Sequence, residues 1–570
     1  MRMTFSYKGL RKLPCQRSLK VPTVRNTSRK MDGFCLSLGA IFVLALAASC
    51  NAQYVYATVE QGELEGELQQ TILGTTYRRF IAVPFAEPPI GELRFARSRP
   101  PASWEGVRRV QRDLPVCPQV GAGSEDCLYL NVFVPHEAAA NASEQLPVLV
   151  WIPGGGFEAG SGTQFDYGPD FFLEHGIIVV TINYRLGAFG FLSLEDEVIP
   201  GNAGLKDQQM ALQWVQRNIA AFGGDPARVT IGGQSAGGCS ASHHFTSPQS
   251  AGLFRGVIIQ NGQSVSPWGI FPNARDMAFR LGALLGLQTN DSQELAAFLR
   301  AQEASDLVDR GKEILTDDEK VKLARLAFAP VVEPDVEDAF VREHPITVLK
   351  EGRFNKVPVL TGVDSGEGVL FIIGDGYLTD PKVLRTFNEN FEVATAPDIH
   401  LPTEEERINA TRKLHDFYFG EGDITLDDAQ SLVDLATDLH FAEPTDSLVR
   451  YVSQLSELPV FYYLFDYRGA NIGNTTYGSP HAAELAFIFH RNDSAVEWEP
   501  GTVEGGLTQR MVNSWSSFIK YGDTNYANDS VVWEPFSVSS TNYLHITTDY
   551  ELRQNKDQGR MNFWHENIPM

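Results

Sequence analysis

The β-branched run Val229-Thr230-Ile231 empties into Gly232-Gly233-Gln234-Ser235-Ala236-Gly237-Gly238. A strand followed by so many small residues can turn at once into a helix, because only such residues fit the tight bend. A Cβ at Gly233 or Gly237 would collide with the neighbouring strand or helix. Ser235 then stands at the apex of a G-x-S-x-G turn, its Oγ presented at the carboxyl end of a sheet as in a strained nucleophile elbow. Taken alone, the pentad fits an ordinary strand-to-helix turn of an α/β protein equally well.

A second segment narrows the choice. Leu146-Pro147-Val148-Leu149-Val150-Trp151-Ile152 has the apolar continuity of a strand buried on both faces, and it runs into Pro153-Gly154-Gly155-Gly156-Phe157. Successive glycines free backbone N–H groups to converge, and acyl transfer needs such donors where the oxyanion forms, each worth about 10² to 10³ in rate. Gly155, Gly156 and the residue after the nucleophile, Ala236, are the expected oxyanion hole. A phosphate cradle is excluded, because no G-x-x-x-x-G-K-[ST] or G-x-G-x-x-G follows a strand in register.

The chain resembles the type-B carboxylesterases, the cholinesterase-like branch of the α/β-hydrolases. The resemblance rests on the elbow, the glycine loop and several collinear stretches. These are Ser124-Glu125-Asp126-Cys127-Leu128-Tyr129-Leu130-Asn131, Asn183-Tyr184-Arg185-Leu186-Gly187, Gly201-Asn202-Ala203-Gly204-Leu205-Lys206-Asp207-Gln208 and Phe222-Gly223-Gly224-Asp225-Pro226. It runs from about Val59 to Trp564 and implies an α/β-hydrolase fold with a mostly parallel central sheet flanked by helices. No Pro/Ser-rich linker or repeat cuts the 570 residues, so residues 53–570 are expected to form a single catalytic domain.

The serine needs a base and the base an orienting acid, in the chain order Ser, acid, His. The strand Val357-Pro358-Val359-Leu360-Thr361-Gly362 leads into Val363-Asp364-Ser365-Gly366-Glu367-Gly368. The loop by itself leaves Asp364 and Glu367 open as the acid; the family resemblance implies Glu367. Of the seven histidines that follow, only His481 lies in a turn-rich loop after a strong strand, Val460-Phe461-Tyr462-Tyr463-Leu464-Phe465. It also completes the G-x-x-H-x-x-E form of the family. His490, His243 and His244 are expected to be structural. No metal or cofactor is expected, since neither H-E-x-x-H nor C-x-x-C nor any cluster of metal-ligand spacing occurs.

Nine basic residues in positions 1–30, the apolar run Phe34 to Ala48 and the small-residue exit Cys50-Asn51-Ala52 form a signal-peptide pattern, with residues 1–52 removed. Met31 is an alternative start. The apolar run is shorter than the roughly 20 residues that span a bilayer. No hydrophobic tail precedes Met570, so no stable membrane anchor is expected. A formal net charge of −24, more negative still without the leader, argues against nucleic-acid or anionic-membrane partners. The resulting expectation is a secreted enzyme. Cys117 and Cys127 correspond to a disulfide in the family. Cys239 is expected to be a buried apolar side chain. Sequons at Asn141, Asn290, Asn409, Asn474, Asn492 and Asn528 are candidate glycosylation sites.

Departures from the cholinesterases bear on substrate. The loop between the two cysteines lacks the tryptophan on which a cation stacks. Gln234 stands where those enzymes have Glu, and Leu370-Phe371 keeps one of two family aromatics. Trp268 occupies the family's acyl-pocket position with Phe371, implying a small-to-medium uncharged acyl group on a small-molecule ester. Asn261 replaces a family Ser near the triad, and Pro153 a frequent His or Tyr. The Gly-Gln-Ser-Ala-Gly pentad also resembles that of juvenile-hormone esterases, a specificity alternative within the same chemistry. A catalytically silent, neuroligin-like adhesion protein is the alternative of a different class. A lipase would need a lid, which the sequence does not reveal.

Overall fold

The computed structural model describes residues 54–569 except 113–114, 142–143, 474–475, 492–493, 495, 497 and 528. The expected leader lies outside the described residues, as do Asn474, Asn492, Asn528 and the side chain of Asn141. Asn290 and Asn409 are exposed.

Among the described residues, thirteen strands form one sheet: β1 (Tyr54–Val59), β2 (Gly62–Gln70), β3 (Thr76–Pro84), β4 (Val107–Arg109), β5 (Tyr129–Pro135), β6 (Leu146–Ile152), β7 (Ile178–Ile182), β8 (Gly224–Gln234), β9 (Gly256–Gln260), β10 (Val359–Asp364), β11 (Val460–Phe465), β12 (Asn542–Ile546) and β13 (Tyr550–Gln554). Their order is β1-β2-β3-β5-β7-β6-β8-β9-β10-β11-β12-β13, with β4 beside β2. Every pairing from β7 through β12 is parallel, and antiparallel pairings complete both margins, apart from β4, which runs parallel to β2. Strands in the middle of such a sheet are covered on both faces, which is why β6 reads as an unbroken apolar run. Val148, Val150 and Ile152 enter one hydrophobic core, and Leu149 and Trp151 the other.

The strand order fixes where the site must be. After β6 the chain moves to β7 on one side, then returns to place β8 on the other. The carboxyl ends of β6 and β8 therefore flank a crevice at the switch point, where open α/β sheets bind ligands. Ile152 pairs with Gly233, so the glycine loop leaving β6 and the serine turn leaving β8 start side by side.

Two of the collinear stretches act here as supports. Arg185 forks onto Asp207 through Nε and Nη2, both at 2.7 Å and both buried. This pins the segment after β7 to the helix Ala203–Asn218. Gln208 on that helix donates to Ser240 Oγ at 3.0 Å and meets His244 Nε2 at 3.1 Å, holding the helix Ala236–Thr246 that follows Ser235. His244 is wholly buried, as a packing histidine should be. Cys117 and Cys127 are joined as a disulfide, and Cys239 is free and buried. No helix among the described residues is long and apolar enough to cross a membrane.

Candidate active site

Ser235 is reached through a backbone conformation that L-residues avoid, φ 59° and ψ −126°. Neighbouring main chain over-determines it. The Ser235 N–H donates to the Gln260 carbonyl at 2.9 Å, and its own carbonyl accepts from Cys239 N–H at 2.8 Å in the first helical turn. A Cβ on Gly237 would lie 2.1 Å from the Ile152 carbonyl oxygen, so that glycine permits the helix to start this close to β6. Across the crevice, a Cβ on Gly154 would stand 2.6 Å from the Gln234 carbonyl oxygen and 3.2 Å from Ser235 Cβ. The glycine loop thus lies directly against the serine turn. Among the described residues, the N–H groups of Gly155, Gly156 and Ala236 have no acceptor.

The acid and the base arrive from β10 and β11 on loops that are stitched together. Gly366 N–H donates to the Ser479 carbonyl and Ser479 N–H to Ser365 Oγ, both at 2.8 Å. This brings His481 Nδ1 onto Glu367 Oε2 in a direct hydrogen bond. Glu367 is fully buried and its other oxygen accepts the Asp364 N–H at 2.9 Å. Asp364, the other carboxyl of this loop, ends β10 and points instead to Asn261 Nδ2 at 2.8 Å and Ala483 N–H at 3.1 Å. The structure therefore places Glu367, not Asp364, against His481.

Burial opposes a charge on His481, but the Glu367 carboxylate, through its charge and hydrogen bond, and the more distant Glu484 outweigh it and raise the imidazole pKa. If His481 serves as the base, its neutral form accepts the serine proton, and turnover is expected to rise with pH. Its acid limb should lie above the ordinary histidine value of about 6.5.

The far ring nitrogen has a neighbour that the sequence did not disclose. Gln234 Nε2 stands 3.2 Å from His481 Nε2. With Nδ1–H donated to Glu367, Nε2 is an acceptor, and the amide occupies it. The Ser235 hydroxyl makes no hydrogen bond among the described residues, so a His481 that serves as its base would have to exchange the amide for Oγ when substrate enters. A carboxylate in place of that amide would favour the imidazolium. Gln234→Glu is expected to move the acid limb of the pH–rate profile upward by about one unit, read from kcat/KM against pH. An unmoved limb would show that residue 234 does not face the base during turnover.

Trp268 is buried, its ring 6.3 Å from Phe157 and 5.8 Å from Phe441. Phe371 stacks on Phe441 at 5.9 Å, and Phe441 lies 5.0 Å from the His481 ring. Phe441 thus joins the two expected acyl-pocket aromatics to the base, and no motif announced it. It rides on a π-helical turn, Asp438–Ala442, whose extra residue per turn re-aims the side chains. His490, expected to be structural, packs its ring on Phe171 at the margin, and His243 Nε2 meets the Gly269 carbonyl at 2.9 Å.

Sequence comparisons agree with this architecture. The carboxylesterase family model matches residues 53–564. Venom carboxylesterase-6 of Apis mellifera is 31% identical, covering 88% of this chain and 92% of its own. Carboxylesterase 5A of Homo sapiens is 32% identical over 93% and 92% of the two chains. Juvenile hormone esterase of Tribolium castaneum is 33% identical over 86% and 88%.

Proposed function

The chain belongs to the carboxylesterase family and hydrolyses carboxylic esters, and from that premise we propose that it does so through an acyl-enzyme on Ser235. The observation that carries the reading is the His481–Glu367 couple standing beside a strained serine, opposite N–H groups that have no acceptor. Ser235 Oγ attacks the ester carbonyl carbon as its proton passes to His481 Nε2, while Glu367 holds the Nδ1–H tautomer and steadies the imidazolium. The N–H groups of Gly155, Gly156 and Ala236 receive the oxyanion. The alcohol leaves with the proton from His481. Water then attacks the acyl carbon, giving one proton to His481, and the carboxylic acid departs as Oγ takes that proton from His481, ionising to the carboxylate in solution.

Trp268, Phe371 and Phe441 supply an apolar acyl pocket, which favours uncharged acyl groups of small to medium size. The loop 118–126 offers no aromatic face for a quaternary ammonium, so choline esters are poor substrates on this reading. Residues 53–570 act as one catalytic domain that is exported after loss of 1–52, with Asn290 and Asn409 open to glycan.

Hydrolysis of p-nitrophenyl esters from acetate to laurate tests the pocket. The expected outcome is a maximum of kcat/KM at short to medium acyl length. A steady rise to laurate would contradict an acyl pocket closed by these three aromatics, and no turnover by folded protein would remove the catalytic reading.

A further inference from the structure

Behind the His481–Glu367 couple lie two more carboxyl groups that the esterase mechanism does not use. Asp364 and Glu484 are both fully buried. One amide nitrogen, Asn261 Nδ2, stands 2.8 Å from Asp364 Oδ2 and 3.2 Å from Glu484 Oε2, so the two acids meet at a single side chain. Gln260 Nε2 donates to Glu484 Oε1 at 2.8 Å, and Gln260 is itself held by Trp515 Nε1 at 3.0 Å. The remaining oxygen of Asp364, Oδ1, has no hydrogen-bond partner among the described residues. Glu367 and His481 complete one side of this cluster. Tyr463, from β11, closes another, its ring against Gly362 and its hydroxyl unpartnered. Past Ser365 stand Asp466, His545 and Arg468, occupied with one another. Among the described residues, no Lys or Arg pairs with Asp364, Glu367 or Glu484, and His481 is the one cation available.

Three carboxylates with a single imidazole in a dry interior would repel strongly, and like charges sharing a site do not both ionise. We infer that Asp364 and Glu484 hold one proton between them in the resting enzyme, and that this monoanionic pair is a positioning element for the catalytic couple. The inference rests on the Ser235–His481–Glu367 reading above. Geometry gives the pair its leverage. The Asp364 N–H holds Glu367 Oε1, the Asp364 side chain holds Ala483 two residues beyond His481, and Glu484 is tied through Gln260 to the strand whose carbonyl receives Ser235 N–H. One proton thus links the acid loop, the histidine loop and the serine turn. Burial first, and the neighbouring carboxylates second, push the Asp364 acid well above its usual range, and burial raises Glu484 as well.

Charge counting tests it. Asp364→Asn or Glu484→Gln each replaces a shared-proton pair by an amide and one carboxylate, leaving the charge at −1. Each single variant should therefore keep the acid limb of kcat/KM where it is. The double variant removes the last charge and should move the limb to lower pH by about one unit. Asp364→Ala strips acceptors from Ala483 and Asn261 and should lower kcat about tenfold or more with little change in KM, most of it restored by Asp364→Asn. A limb displaced by either single variant means that both acids are ionised, and a limb unmoved by the double means that the pair carries no charge felt by His481; either overturns the inference. If one single variant does not fold, the other gives the same count. Activity surviving in Ser235→Ala would instead defeat the underlying triad, which keeps the two failures apart.

Discussion

Ser235→Ala is expected to lower kcat by about 10⁵ to 10⁶-fold with the fold intact. As the proposed nucleophile, Ser235 is a group whose loss no neighbour is placed to make good. Cys239, four residues on, is buried in the helix, and burial raises its thiol pKa well above the usual range, away from the reactive thiolate. Any residual turnover is expected to come from the proposed oxyanion donors and from substrate binding. Stability should barely change, because the Ser235 hydroxyl makes no hydrogen bond among the described residues and alanine inherits the same backbone strain. Thermal melting of the variant beside steady-state rates on p-nitrophenyl acetate separates the two effects. A variant that keeps more than about a hundredth of wild-type kcat would contradict the assignment.

The second large effect concerns tautomer rather than bond making. Glu367→Gln keeps the shape and can still accept the Asp364 N–H, but it can present an amide NH₂ to His481 Nδ1. That NH₂ favours the ring form with the proton on Nε2, which cannot take a proton from Ser235. It also removes the carboxylate that steadies the imidazolium. A drop of about 10³ to 10⁴ in kcat is expected, with KM little altered. The acid limb should fall as well, because the charge that raises the His481 pKa has gone. Loss of activity with an unmoved limb would mean that Glu367 acts only on folding.

These residues differ in how far local pattern reveals them. The bounds of β6 and β11 coincide with the apolar runs Leu146–Ile152 and Val460–Phe465, because a strand buried on both faces leaves an unbroken hydrophobic signature. The serine turn was legible for a similar reason, since steric contacts such as that between Gly237 and Ile152 allow only glycine. Choosing between Asp364 and Glu367 was beyond local pattern. Both follow the same strand, and what separates them is a turn that carries Glu367 back over the Asp364 N–H while Asp364 remains in register with β11. Family resemblance pointed to Glu367, and geometry gives the physical reason.

Other contacts had no local signal at all. Phe441 reaches His481 through a π-helical turn in a segment without a motif, and its position depends on the packing of Phe371 and Trp268 from distant parts of the chain. Gln234 stands out in the sequence only as the residue where cholinesterases have Glu; that its amide faces His481 Nε2 depends on the meeting of β8 with the loop after β11. The buried pair Asp364 and Glu484 was equally hidden, because 120 positions of chain separate two carboxyls that meet at one asparagine.

The acyl-enzyme is a covalent species, and peptide mass mapping of enzyme quenched in acid during turnover of p-nitrophenyl acetate detects it. The expected result is one added acetyl group on the peptide that contains Ser235, lost again as the substrate is exhausted and absent from Ser235→Ala. An acetyl group found on another residue of an equally active enzyme, or turnover without any acylated peptide, would contradict it.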